Sequence, residues 1–472
     1  MLTPLRLSPE PRRTLQAARP LALGTLSTSD TIVGALVAVL PATCHAWRQR
    51  RLADPMLLLI WLVTLWVLRL GRRMQKQARS LRSIEDAAVE GSLFASIGGL
   101  AIHHVEESKP AAATAVATPP LLLHLNHGFG ANALTWDPLL APLTTALSER
   151  GRGRVPVRAV AHDRIGFGLS QRPKRLEQYG ERFQAEVALR LLDHVSNTAD
   201  AGAGSSAAAS SSSYSAAPAT VLVGHSIGGL LSARMAVQQR GGGVRGLVLI
   251  APAILASSKS GSAAAAASQR STSRLARAAR AATALGTRIT RAVLLGVLLL
   301  LEPFLRVLIT LLIAQPRFWA NGVGAAYADK SRLEPAMLLR YRWPVQVKGS
   351  AAGVLRFVRA QLLAPLTPPS SSSSSSSAAP GSAAAEAAAE AAAEAEAPLW
   401  ESLRRLRLPI LIIHGERDLL VPLSNSRRLA RAMPTASLLE LPDCGHCPHE
   451  EKPDEVCDAV CDFVATLGLV GE

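Results

Sequence analysis

At Gly224-His225-Ser226-Ile227-Gly228-Gly229 a serine has glycines two positions before and two after it. An apolar strand-like run, residues 220–223, leads in, and a helical run starting at Leu230 leads out. A chain that passes from strand to helix through so short a step must turn sharply, and larger side chains there would strike the neighbouring strand and helix. The turn lifts the hydroxyl clear of a sheet and sets it at a helix N-terminus, whose unpaired N–H groups favour developing negative charge. This step demands a sheet with a helix packed against it. It makes Ser226 the candidate nucleophile and the backbone N–H of Ile227 a candidate oxyanion donor.

From about residue 91 the rest of the chain fits that demand. Short apolar runs at 100–105, 121–126, 157–161, 220–223, 246–250, 410–413 and 437–441 read as strands. Helical stretches lie near 137–149, 183–197, 227–239, 425–433 and 454–467. Such alternation predicts an α/β fold, a mostly parallel sheet covered by helices on both faces. Residues 251–400 are too long for a crossover and predict an inserted helical cap. Residues 201–217 and 370–397 are Ser/Ala and Ala/Glu tracts with nothing to build a core from. The expected organisation is a leading segment (1–30), a membrane-associated helical region (31–90), a first core part (91–255), a cap (256–400) and a second core part (401–472).

A serine hydroxyl attacks only when a base removes its proton, and that base needs an acid to orient it. His446 follows Gly445 on a short loop after strand 437–441, within reach of a serine at the sheet edge. Asp418, just past strand 410–413, is the candidate acid, with Glu416 as its competitor. The chain order is then Ser, Asp, His. His225 and His449 are read as structural. His127-Gly128-Phe129-Gly130 closes strand 121–126 and offers the N–H of Phe129 as second oxyanion donor.

Those motifs, with Asp163-Arg164-Ile165-Gly166-Phe167-Gly168-Leu169-Ser170, stand in the order and spacing of the α/β-hydrolase superfamily, and the chain resembles its carboxylesterase and lipase-like branch. The resemblance covers roughly residues 91–255 and 401–468. It implies an α/β-hydrolase fold with an inserted cap, triad roles for Ser226, Asp418 and His446, and oxyanion roles for Phe129 and Ile227. It makes residues 163–170 a structural turn beside the site. A serine where epoxide hydrolases and dehalogenases carry an aspartate argues against their chemistry.

The net charge of +16 is concentrated. Residues 1–82 carry 13 Lys+Arg against 3 Asp+Glu, and residues 257–360 carry 16 against 3. Both stretches adjoin strongly apolar sequence, which points to anionic lipid rather than nucleic acid. No nucleic-acid-binding pattern accompanies the charge. Residues 31–47 and 56–70 are apolar runs, the second flanked by arginines on both sides. Fifteen helical residues reach roughly 23 Å, short of the ~30 Å hydrocarbon core, so a crossing needs snorkelling or local thinning. Residues 293–314 are apolar but broken by Glu302, Pro303 and Arg306, which predicts two helices meeting at the Glu-Pro step on the bilayer surface. Residues 1–30, Arg-containing and poor in acids, have the composition of a chloroplast or mitochondrial transit peptide, and equally of a disordered tail.

The expected function is cleavage of a carboxylic ester in a lipophilic substrate by a membrane-associated serine hydrolase, with no cofactor and no metal. The same triad could serve carbon–carbon bond hydrolysis or acyl transfer. A catalytically inactive membrane-tethered scaffold would keep the fold alone. Cys444-x-x-Cys447 with His446 and His449 has zinc-like or redox-pair spacing, but the Gly-His loop accounts for His446 without metal.

Overall fold

The computed structural model describes residues 81–112, 119–198, 218–239, 243–254, 274–363 and 399–470, with residues 59, 61–66, 69 and 72. The transit-like segment 1–30, the apolar run 31–47 and the tracts 201–217 and 370–397 lie outside the described residues. Within run 56–70, residues 61–66 are helical, and Leu62, Val63, Leu65 and Trp66 are exposed.

In chain order the elements are α1 (Ile84–Ala87), β1 (Leu93–Ile97), β2 (Leu100–Lys109), β3 (Leu121–Asn126), α2 (Asp137–Arg150), β4 (Val157–His162) and α3 (Glu181–Thr198). There follow β5 (Ala219–His225), α4 (Ile227–Gln238), β6 (Val244–Ile250), α5 (Arg274–Ile313), α6 (Pro316–Gly324), α7 (Pro335–Arg342) and α8 (Ser350–Leu363). The chain closes with α9 (Leu399–Leu406), β7 (Ile410–Gly415), α10 (Leu423–Ala432), β8 (Ala436–Leu441), α11 (Pro448–Glu451) and α12 (Pro453–Thr466).

The strands form one eight-stranded sheet in the order β1-β2-β4-β3-β5-β6-β7-β8. β1 and β2 are antiparallel to their neighbours, and every pairing from β4 to β8 is parallel. The central strands are buried on both faces, which is why they read as continuous apolar runs. One core packs α3, α4, α9 and α10 against the sheet through Leu191, Leu231, Leu403 and Leu429. The other packs α2 and α12 against the opposite face through Leu143, Leu147, Val460 and Val464.

Two expectations differ from what is seen. β1 is an added strand that sequence patterning passed over, because its burial alternates imperfectly at a sheet edge and glycines bound it. The two helices expected at Glu302-Pro303 are instead one continuous helix, α5, with Pro303 inside it. Proline forfeits one backbone hydrogen bond, but Glu302 ties this step to Arg306 one turn on and to Arg359 of α8 at 2.8 Å. Both pairs brace the helix at the step where the proline interrupts its bonding.

Candidate active site

β5 ends at His225, and Ser226 stands between it and α4 with φ 53° and ψ −119°. That left-handed conformation is unfavourable for a residue with a side chain. Its neighbours hold it there: Ser226 N–H donates to Ile250 O (2.9 Å), and Ser226 O accepts from Gly229 N–H (3.0 Å) and Ala253 N–H (3.1 Å). A Cβ on Gly224 would come within 2.5 Å of the Gly228 carbonyl oxygen, so this position admits only glycine. As the N-cap of α4, Ser226 precedes the unpaired N–H of Ile227.

His446 lies on the loop after β8. Its Nδ1 donates to Asp418 Oδ2 at 2.7 Å. Asp418 Oδ2 also lies 3.2 Å from His414 Nε2, whose N–H is shared with Val421 O (2.9 Å), and Oδ1 accepts from the N–H groups of Leu420 (2.8 Å) and Val421 (2.9 Å). Burial pushes the Asp418 carboxyl up, but the bonds from His414 and His446 outweigh it and hold it well below the usual carboxylate range. Asp418 is thus an ionised, fully engaged acceptor. Glu416 makes no such contact to His446. Ser226 and His446 come together by neighbourhood: the His446 and His225 rings are 4.9 Å apart, with no Ser226–His446 hydrogen bond among the described residues. Such a bond often forms only with substrate present.

The oxyanion loop is equally constrained. His127 Nδ1 donates to Gly128 O (2.8 Å) while its Nε2 accepts from Arg164 N–H (3.0 Å), which defines the tautomer. Burial lowers its pKa to about 4, so the ring is neutral. A Cβ on Gly128 would press on His225 Nδ1 at 2.9 Å and Ser226 Cβ at 3.2 Å, placing this loop directly beside the serine. The N–H groups of Phe129 and Ile227 find no acceptor among the described residues, as donors kept for a ligand would.

Residues 163–170 form the expected structural turn. Asp163 accepts from His103 Nδ1, Ala133 N–H and Leu169 N–H, each at 2.6 Å. Phe167 of this turn meets Phe129 (5.8 Å between centroids) and Phe357 of α8 (5.1 Å), and Phe129 meets Phe357 at 5.9 Å. The cap therefore reaches the oxyanion loop through an aromatic cluster.

Sequence reasoning missed three supporting residues. His225 Nε2 donates to the carbonyl of His446 at 2.8 Å and so holds the base loop to the elbow. Glu451 accepts from Gly445 N–H (3.0 Å), Cys447 N–H (3.2 Å) and, from the cap, Ala328 N–H (2.8 Å). His414 braces Asp418 from behind, and its place in His414-Gly415-x-x-Asp418 was the one available signal. His449, read as structural, lies at the start of α11, its ring tilted against Trp136 (4.6 Å between centroids) and His225 (4.5 Å). Cys444, Cys447, Cys457 and Cys461 are buried free thiols, and burial raises Cys444 to about 12 and Cys447 well above its ordinary value. Protonated thiols of that kind are inert. Among the described residues no group of three or more His, Cys, Asp or Glu side chains could hold a metal ion.

Comparison with known proteins follows this geometry. The Alpha/beta hydrolase family model matches residues 121–459. The uncharacterized hydrolase YugF of Bacillus subtilis is 34% identical over 64 residues, 14% of this chain and 23% of that protein. The pimeloyl-[acyl-carrier protein] methyl ester esterase of Aromatoleum aromaticum is 36% identical over 63 residues, 13% of this chain and 25% of that protein. The chain thus spans about a quarter of the length of these curated relatives. Among solved structures, the enol-lactonase of Burkholderia xenovorans is 18% identical with a TM-score of 0.46, over 79% of this chain and 100% of that one. With its family model spanning residues 121–459, most of the chain, this protein belongs to the alpha/beta hydrolase family.

Proposed function

We propose that the protein is a membrane-associated serine hydrolase that cleaves a carboxylic ester of a lipophilic substrate. The observation carrying this reading is the 2.7 Å bond from His446 Nδ1 to an ionised Asp418, on a loop that His225 ties to the Ser226 elbow. That bond leaves Nε2 of His446 free to serve as base. Ser226 Oγ attacks the ester carbonyl carbon while Nε2 takes its proton, and the oxyanion forms against the N–H groups of Phe129 and Ile227. Collapse breaks the carbon–oxygen bond to the alcohol, which leaves with the proton from His446. Water, deprotonated by the same imidazole, then attacks the acyl-enzyme and frees the carboxylic acid. The chemistry needs no cofactor.

A lipophilic substrate is favoured by the Phe129–Phe167–Phe357 cluster at the oxyanion loop and by the exposed apolar surface of α5. Residues Ile289–Ile313 of α5 are long and apolar enough to cross a membrane, by length and composition, and none of the stretch is buried. A fluorophosphonate probe tests the enzyme reading. It should label the folded protein and fail to label Ser226→Ala; absence of labelling in folded wild-type protein would leave the inactive scaffold as the better account. Long-chain against short soluble esters, assayed in detergent, test the substrate class. Turnover confined to short esters would overturn the lipid part.

A further inference from the structure

Around α5, at 100° per residue, Leu294, Val297, Leu300, Leu301, Phe304 and Leu308 share a sector of roughly 120°. All six are exposed, Leu300 at 80% and Phe304 at 61%. A second stripe, Leu298, Glu302, Leu305, Ile309 and Ile313, is half-buried, and it faces α8 through the Glu302–Arg359 pair. The third sector is mixed: Leu299, Val307 and Ile289 stand there with Ala292, Gly296, Pro303, Arg306 and Thr310. A helix that crosses a bilayer alone is apolar on every side; this one has a greasy face, a packed seam and a mixed back that carries Arg306 and Thr310.

α5 also stays with the body. α8, to which it is tied, sends Phe357 and Ala360 into the core beneath the sheet, so α5 could enter the hydrocarbon end-on only by dragging Arg356 and Arg359 of α8 along. The chain before α1 is anchored on the same side. Arg82 pairs with Val347, just before α8, and its guanidinium stacks on Trp343 at 3.5 Å. Residue 72 stands ten peptide steps before Arg82, a reach of at most roughly 35 Å. Exposed Leu62, Val63 and Trp66 stand at most twenty residues before this anchor. The stretch 257–360 carries 16 Lys+Arg against 3 Asp+Glu, which complements an anionic headgroup layer.

We infer that the cap side docks on an anionic bilayer with α5 lying in the membrane plane, its Leu294–Leu308 sector sunk among the acyl chains. The helix is an interfacial float, not a span. This deepens the lipid-ester reading, since α8 carries the contact from α5 to the oxyanion loop and so places the site next to the leaflet that holds the substrate.

Neighbouring residues Leu299 and Leu300 give the test, because they would sit at one depth in a spanning helix but in different sectors of an in-plane one. Bimane is attached to Leu300→Cys or Leu299→Cys in the full chain, and quenching by brominated lipids is read in vesicles of phosphatidylcholine with phosphatidylglycerol. The unsubstituted chain sets the background of its own thiols, and circular dichroism with thermal unfolding in detergent checks that each variant is folded. Residue 300 should be quenched several-fold more strongly than residue 299. Equal quenching would make α5 a span, and quenching at neither would remove it from lipid; either result overturns the inference. Pure phosphatidylcholine vesicles should bind several-fold less protein, and equal binding would overturn the anionic surface. If wild-type protein takes no fluorophosphonate but the contrast persists, the hydrolase reading falls and the docking geometry stands.

Discussion

At Gly228 one added methyl group would stand 2.1 Å from the carbonyl oxygen of Asn126. Backbone cannot yield there as a flexible side chain could, so Gly228→Ala should cost about 3 kcal/mol or more in urea unfolding. Asp418→Asn keeps the shape but no longer fixes the tautomer of His446 or compensates its positive charge. Its kcat should fall about ten-thousand-fold with the fold intact by circular dichroism. Both residues were legible in the sequence because the chain marks strand ends with glycine, and Ser226, Asp418 and His446 each stand just beyond one. His225 and Glu451 were not legible. Their work is done through hydrogen bonds to backbone atoms distant in sequence, His446 O and Ala328 N–H, and no spacing rule encodes such partners.

Among the elements, the loop from β8 to α11 is gathered by one carboxylate beside its bonds to His225 and Ala326. Glu451 gathers three N–H groups, two from the base loop and one from the cap segment after α6. Glu451→Ala leaves those donors unpaired, which should cost about 2–3 kcal/mol of stability. It should also slow fluorophosphonate labelling at least about tenfold, since a base displaced by an ångström loses its alignment. Unchanged labelling would show that the loop holds itself. The strands were readable as apolar runs because both faces of the parallel sheet are covered. β1 was not, as an edge strand needs no such run, and neither was the continuity of α5, because the partner that secures Glu302 is Arg359, 57 residues away in α8.

For the whole molecule, the interior holds neutral histidines in number. Burial lowers His124 to about 3, His127 to about 4 and His449 to about 3, and puts His162 and His225 well below their ordinary value. Each depressed imidazole binds a proton more readily unfolded than folded. Their stability is therefore present above the unfolded pKa of about 6.5 and lost as pH falls below it. Glu450 works the other way: burial beside Tyr327 and Tyr341 raises it to about 7, so between its unfolded value and 7 it favours the fold less as pH rises. Five histidines outweigh one carboxyl. The unfolding free energy from urea titration should drop steeply between pH 6.5 and 5, by about 2 kcal/mol or more per pH unit, and less steeply in His124→Phe. A midpoint independent of pH would mean these rings are hydrated. One further result concerns anyone wishing to make the enzyme behave in plain buffer. Ala326 O accepts the N–H of His446 at 2.6 Å, and Phe357 rests on Phe129, so the inserted segment supports both ends of the candidate site. Excising it whole would yield a tractable but idle protein; repainting the outward leucines of α5 with glutamates is the surgery that leaves the working parts in place.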